Sequence, residues 1–293
     1  MNDWWSVIFN FSNYGELLVL LQNSLIAGAV LGVVGGLIGV FVMSRDMAFA
    51  VHGISELSFA GASAGLLFGV GVVEGSIVGS LVAAALIGVL GARARDRNSI
   101  IAVLMPFGLG LGILCLALYP GRSANKFGLL TGQIVAVDDP RLNSLIAISI
   151  VVVVGLMVVW RPLTFASIDP EVAAARGVPT RFLSLYFMLL LGLAVAVSVQ
   201  IVGSLLVLSI LVTPAAAALR VSSSPIVVPL LSTVFAVFSL VGGIMLALGG
   251  SLPISPYVTT LSFLIYVVCR IIAAVRMRRG NTGRASELVA ARS

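Results

Sequence analysis

LLQNSLIAGAVLGVVGGLIGVFVM, residues 20–43, is the stretch that decides the fold. It carries no charged side chain, and after Ser24 it holds only apolar residues and glycine. At ~1.5 Å per residue, a helix of this length crosses the ~30 Å hydrocarbon core of a bilayer. A helix on the surface of a soluble domain needs a polar face, and this one has none. The same reading repeats along the chain. Apolar runs fall at Leu20–Met43, Met47–Val73, Ser76–Leu90, Ile100–Leu118, Leu142–Trp160, Phe182–Val199, Gly203–Leu219, Ile226–Leu248 and Tyr257–Val275. The break at Gln200–Gly203 is the weakest, so eight or nine spans are expected. The fold class is therefore all-α, a polytopic transmembrane helical bundle.

The composition agrees. Apolar residues make up 60% of the 293, charged residues 10%, and mean hydropathy is +1.17. Soluble domains carry ~25% charged residues. An ordinary cytosolic enzyme, a disordered tail and a secreted disulfide scaffold are all excluded. The 31 glycines suit helices that approach closely in a bilayer. The only lysine, Lys126, lies outside any Gly-rich loop, so no GxxxxGK[ST] phosphate-binding loop exists. The chain cannot hydrolyse ATP in that manner. Cys115 and Cys269 lie in separate apolar runs and read as small buried hydrophobes. The first 20 residues carry Asp3 and Glu16 but no Lys or Arg, so no cleavable signal peptide is expected.

Basic residues set the orientation. With the N-terminus outside, Arg45, Arg93, Arg95, Arg97, Arg161, Arg176, Arg181, Arg220 and the five arginines from Arg276 on fall inside. That is thirteen, against three outside: Arg122, Lys126 and Arg141. The C-terminus is then cytoplasmic, residues 1–275 form one transmembrane domain, and 276–293 form a basic cytoplasmic tail. The net charge of +6 reflects this bias and calls for no nucleic acid. Two connectors stand apart. Phe127–Val137 is too short to cross and reads as a re-entrant or interfacial helix on the outer side. Asp169-Pro170 reads as an N-cap followed by the first helical position, and Gly177 as a stop. Together they predict a short cytoplasmic helix, Pro170–Arg176, either a plain connector or a docking surface for another subunit.

Of the eleven acidic residues, only Glu56 lies well within a span. Nine residues into its helix it stands ~13 Å deep, where a charge costs ~2.5–3.5 kcal/mol. The only histidine, His52, precedes it by four residues, which puts both side chains on one helix face. Imidazole nitrogen with carboxylate oxygen is half a site for a divalent transition metal. Two copies facing each other across a dimer axis would supply four donors. The spacing equally admits a proton- or substrate-binding role, or a structural pair in which the two bond each other, Arg45 or water. It lacks the second histidine of an HExxH metalloprotease motif. Further along, Gly61 and Gly65 form a GxxxG spacing, a surface for close helix packing or a dimer seam. Pro106, with Gly108, Gly110 and Gly112, interrupts the fourth span, and Pro214 lies near the inner end of the seventh. Both read as kinks.

Four stretches, in order, resemble the ABC-3 permeases, the membrane subunits of bacterial zinc and manganese ABC importers. They are Met47–Gly61, similar to the family's M-S-[FY]-x-G-D-x-[LI]-[AS]-H-A-x-L-x-G; Phe127–Val137; Ile168–Pro179; and Val202–Arg220, whose VGSLLVLSILVTPAAAALR is similar to the family's V-G-x-[LI]-L-[LV]-x-[AS]-[LM]-L-[IV]-x-P-A-A-[TA]-A. The resemblance covers roughly residues 24–275. It shows one departure: the family's metal-coordinating Asp aligns with His52 and its His with Glu56, so the ligand types are exchanged. It implies that His52 and Glu56 hold a transported Mn²⁺ or Zn²⁺, with no permanently bound cofactor. It implies a second permease copy, identical or related, a cytoplasmic ATPase dimer, and an extracellular metal-binding lipoprotein or solute-binding protein. Thr213, Pro214, Ala215, Ala216, Leu219 and Arg220 would couple to the ATPase. The expected location is the bacterial cell membrane, multi-pass. The alternative is a proton-coupled secondary metal or solute transporter with Glu56 as the coupling residue.

Overall fold

A computed structural model describes residues 21–91, 94–120, 137–248 and 254–290; of 94–96, 205 and 277–290 it describes the backbone alone. The described chain is helical throughout. The helices are α1 (Gln22–Ser44), α2 (Ala48–Phe68), α3 (Val72–Leu90), α4 (Ala94–Leu118), α5 (Asp139–Ile168), α6 (Pro170–Ala175), α7 (Thr180–Val202), α8 (Val207–Leu211), α9 (Thr213–Val221), α10 (Val227–Ala247) and α11 (Ile254–Ala290). A 3₁₀ turn, Ser204–Leu206, stands between α7 and α8. The expected helix Phe127–Val137 lies, apart from Val137, outside the described residues, as do Arg122 and Lys126.

Seven of these helices are long and apolar enough to cross a membrane: α1, α3, α4, α5, α7, α10 and the part of α11 up to Arg276. At 21 residues α2 is also long enough. Its sequence is less apolar because it carries His52, Glu56, Ser55, Ser58 and Ser63, a polarity that burial among other helices allows. The segment Gly203–Leu219 is not one continuous helix but a 3₁₀ turn and two short helices. Gly203 takes φ +86°, a left-handed-region conformation that glycine adopts freely. Pro214 then sits in the first turn of α9, where its missing N–H removes no helical hydrogen bond. It starts a helix rather than kinking one. Pro106, by contrast, lies inside α4, which runs through it unbroken.

The short helix α6 forms as its sequence directs. The Asp169 side chain accepts from the Val172 N–H at 3.0 Å, Pro170 takes the first position, and Gly177 follows the end at φ +84°.

The helix ends sort the charges. Asn23, at the start of α1, donates to Asp139 Oδ1 at the start of α5 (2.7 Å), and Arg45, past the end of α1, donates to Ser167 near the end of α5 (3.4 Å). These two helices therefore run parallel. Arg97, entering α4, donates to the Asp46 carbonyl at 3.2 Å, so α4 begins at the end where α1 finishes. Val40 of α1 shares a small apolar cluster with Ala215 and Ala218 of α9, which places α9 at that end too.

Two sub-bundles share the core. In one, α2 packs against α3, α4 and α7; in the other, α1 packs against α10, with α11 and α9 beside them. The larger core joins Ile38 and Phe41 of α1, Ile54 of α2, Ile87 of α3, Leu156 of α5, and Phe187 and Leu191 of α7. Phe41 meets Trp160 edge-on, with centroids 4.9 Å apart. The Tyr186 hydroxyl of α7 donates to the Gly155 carbonyl of α5 at 3.2 Å.

Candidate functional site

The site is built on α2. Between Val51 and Ala60 almost every residue of this helix is buried, because α3, α4 and α7 enclose it. α4 comes closest beside the carboxylate-bearing turn. A Cβ on Gly108 would stand 3.0 Å from the Glu56 carbonyl carbon, and one on Gly53 would meet Ile101 of α4 at 3.0 Å. On the opposite side Ser58 and Ser76 bond at 2.8 Å, and Ser76 donates to the Ala196 carbonyl of α7 at 3.2 Å. These contacts fix the rotation of α2 and hence the direction of its polar face.

On that face His52 Nδ1 lies 3.9 Å from Glu56 Oε1. This is beyond hydrogen-bond reach. Glu56 is 3% exposed, while the His52 side chain keeps 27% of its surface accessible. Both His52 Nδ1 and Glu56 Oε2 are buried with no hydrogen-bond partner. Buried polar atoms without partners are uncommon, and these two lie on one face of α2. Two donors on one metal ion at ~2.1 Å stand roughly 3.0–3.4 Å apart, so a small side-chain rotation would bring this pair onto a shared ion. Among the described residues no group of three or more His, Cys, Asp or Glu could hold a metal; the His52–Glu56 pair offers one nitrogen and one oxygen.

The other sequence-derived residues lie elsewhere. Gly61 and Gly65, further along α2, are covered by α3 of the same chain. A Cβ on Gly61 would collide with the Gly75 carbonyl oxygen, one on Gly65 with that of Gly71, and one on Gly79 with that of Leu57. Thr213, Pro214, Ala215, Ala216, Leu219 and Arg220 lie on α9. Pro214 and Ala215 are buried, while Leu219 and Arg220 are exposed at its end. α11 holds this helix. Arg276 donates to the Val221 carbonyl at 3.4 Å, and Arg220 and Arg270 both face the Tyr266 hydroxyl.

Sequence reasoning passed over two polar atoms at the helix break. Gln200 Nε2 and Ser204 Oγ are buried without partners, and the 3₁₀ turn that holds Ser204 packs against α2. Breaks of this kind in membrane helices line cavities and pathways. The signal available in the sequence was the polar interruption Gln200–Gly203.

The described helices form a polytopic bundle that buries Glu56 beside the chain's only histidine. Residues 18–273 match the ABC 3 transport family, and the chain belongs to it. It is accordingly a multi-pass membrane permease subunit, not itself a catalyst, and membership of this family sets aside the proton-coupled alternative. The chain is 30% identical over 224 residues to the manganese transport system membrane protein MntC of Listeria innocua, covering 76% of this chain and 80% of that one. It is 29% identical over 254 residues to the manganese import system permease protein ScaB of Streptococcus gordonii, covering 86% and 91%. A solved structure of PsaBC from Streptococcus pneumoniae in complex with Fab has a similar fold. The TM-score is 0.79 at 26% identity, covering 88% of this chain and 94% of that one.

Proposed function

We propose that this chain is the permease through which an ATP-driven importer passes a divalent transition-metal ion, and that His52 and Glu56 are the protein ligands the ion meets inside the membrane. The observation that carries this reading is Glu56. It is 3% exposed, its second oxygen lacks any donor, and it shares a face with the only histidine. A bound cation compensates the buried carboxylate. Neutral imidazole adds a nitrogen donor, and the hydrophobic helices around the pair exclude competing charge. The ion is Mn²⁺ or Zn²⁺, and the manganese relatives favour Mn²⁺. Metal reaches its usual coordination only with further donors, so a second permease copy, facing the first, supplies the other half. Two protein donors per chain hold an ion weakly enough for it to leave, which a transport site requires.

The remaining parts follow from what the chain lacks and where its charges lie. It has no phosphate-binding loop, so ATP hydrolysis belongs to a separate pair of cytoplasmic subunits. The end of the bundle holding Arg45, Arg97 and Arg220 faces the cytoplasm, in keeping with the bias of basic residues. There the exposed end of α9, Leu219 and Arg220, with α6 beside α5, offers the docking surface. A metal-binding lipoprotein or solute-binding protein would deliver the ion from the opposite side. Reconstitution in liposomes tests the drive. Uptake of Mn²⁺ is expected to require ATP and an active ATPase subunit and to survive a protonophore. Uptake that proceeds without the ATPase and collapses with the proton gradient would overturn the proposal.

A further inference from the structure

A cavity of about 960 Å³ opens at the end of the bundle where α1 finishes, away from the His52–Glu56 pair. Its walls bring together Arg45 from the α1–α2 turn, Arg97 from α4 and Arg181 from the first turn of α7. Among the described residues no carboxylate lines it, and none of the three arginines forms an ion pair with one. Arg45 Nε and Arg97 Nε are buried without partners. Arg97 uses its terminal nitrogen on the backbone carbonyls of Arg45 and Asp46, while Arg45 Nη1 donates to Ser167. Burial first, and the Arg97 charge second, push the Arg45 guanidinium below its usual range. Like charges gathered in a half-buried cavity with donors to spare call for an anion. Guanidinium groups match phosphate oxygens particularly well.

The cavity also has an apolar lip. Val89 and Phe182 line it and are exposed, and Val89 continues a stripe with Val82 and Leu86 along the outer face of α3. A ligand lying here meets cations at its head and a hydrocarbon-facing helix along its length. We propose that this cavity binds the phosphate headgroup of an acidic phospholipid, with an acyl chain along the Val82–Leu86–Val89 face of α3. On the orientation proposed above, the lipid belongs to the inner leaflet, where basic pockets between membrane helices take such headgroups.

Native mass spectrometry of the full chain in mild detergent tests this and does not depend on which end faces the cytoplasm or on metal transport. Phosphatidylglycerol is expected to bind and phosphatidylcholine to bind far more weakly. R181Q, at an exposed position, should weaken phosphatidylglycerol binding about five-fold, and R97Q with R181Q about 25-fold, while R181K retains most of it. R181K also controls for folding. Equal binding of the two lipids, or unchanged binding in R181Q and the double variant, overturns the proposal. Complete displacement by inorganic phosphate at equal affinity overturns the lipid as the source of the anion. Loss of a protein partner with lipid binding intact assigns the arginines to that partner and likewise overturns it.

Discussion

At Glu56 the chain buries a carboxylate and leaves one of its oxygens without a donor. Leaving such an atom unpaired costs about 1–3 kcal/mol, and more when charged; on the function proposed above a bound cation would offset that cost. Metal binding needs the imidazole neutral and the carboxylate ionised. As the medium is acidified, protons compete with the ion for both donors. Mn²⁺ uptake is therefore expected to fall between pH 7.5 and 5.5; a flat profile of initial rates would count against the pair as the site. The exchanged order of ligands gives a second test. His52→Asp with Glu56→His keeps one nitrogen and one oxygen, whereas either change alone leaves two donors of one kind. Each single variant should lower uptake by about ten-fold or more, with the double variant recovering much of it. The pair was legible because the sequence holds one histidine and one mid-span carboxylate, four residues apart. Its 3.9 Å gap and its unpartnered atoms were not, because they depend on how α4 and α7 close over α2.

Among the elements, α2 and α3 show what glycine does here. Their backbones touch where Gly61 and Gly65 meet Gly75 and Gly71, and added side chains would strike carbonyl oxygens. Gly61→Val is expected to cost about 1–3 kcal/mol and to lower the melting temperature of the purified protein. Gly110→Ala, with nothing within 4 Å of the new methyl, should leave it unchanged or raise it slightly. Equal effects at the two sites would refute the packing account. Helix existence was readable from apolar runs, but helix ends were not. α5 continues to Ile168, past the expected end at Trp160 and through Pro162. Hydropathy marks where the bilayer stops, and a helix can run on into water. α11 does the same beyond Arg276. The break at Gly203 was visible only as a weak polar interruption, because a short apolar helix and a full span share one composition.

For the whole molecule, Arg45, Arg97 and Arg220 at one end and Asp138, Asp139 and Arg141 at the other mark the two polar ends of the bundle. Cys115 and Cys269 are buried, so single surface cysteines can report on those ends. Ser223→Cys should react with an impermeant maleimide only from the cytoplasmic side, and Asp138→Cys only from outside; the reverse pattern would invert the orientation. The central claim, that the transported ion passes His52 and Glu56, has a more direct test. Radiolabelled Mn²⁺ uptake would be measured in cells relying on this permease alone, comparing wild type with H52A/E56A at matched membrane expression. The account predicts uptake at the background of cells without the permease. Undiminished uptake by the double variant would contradict it.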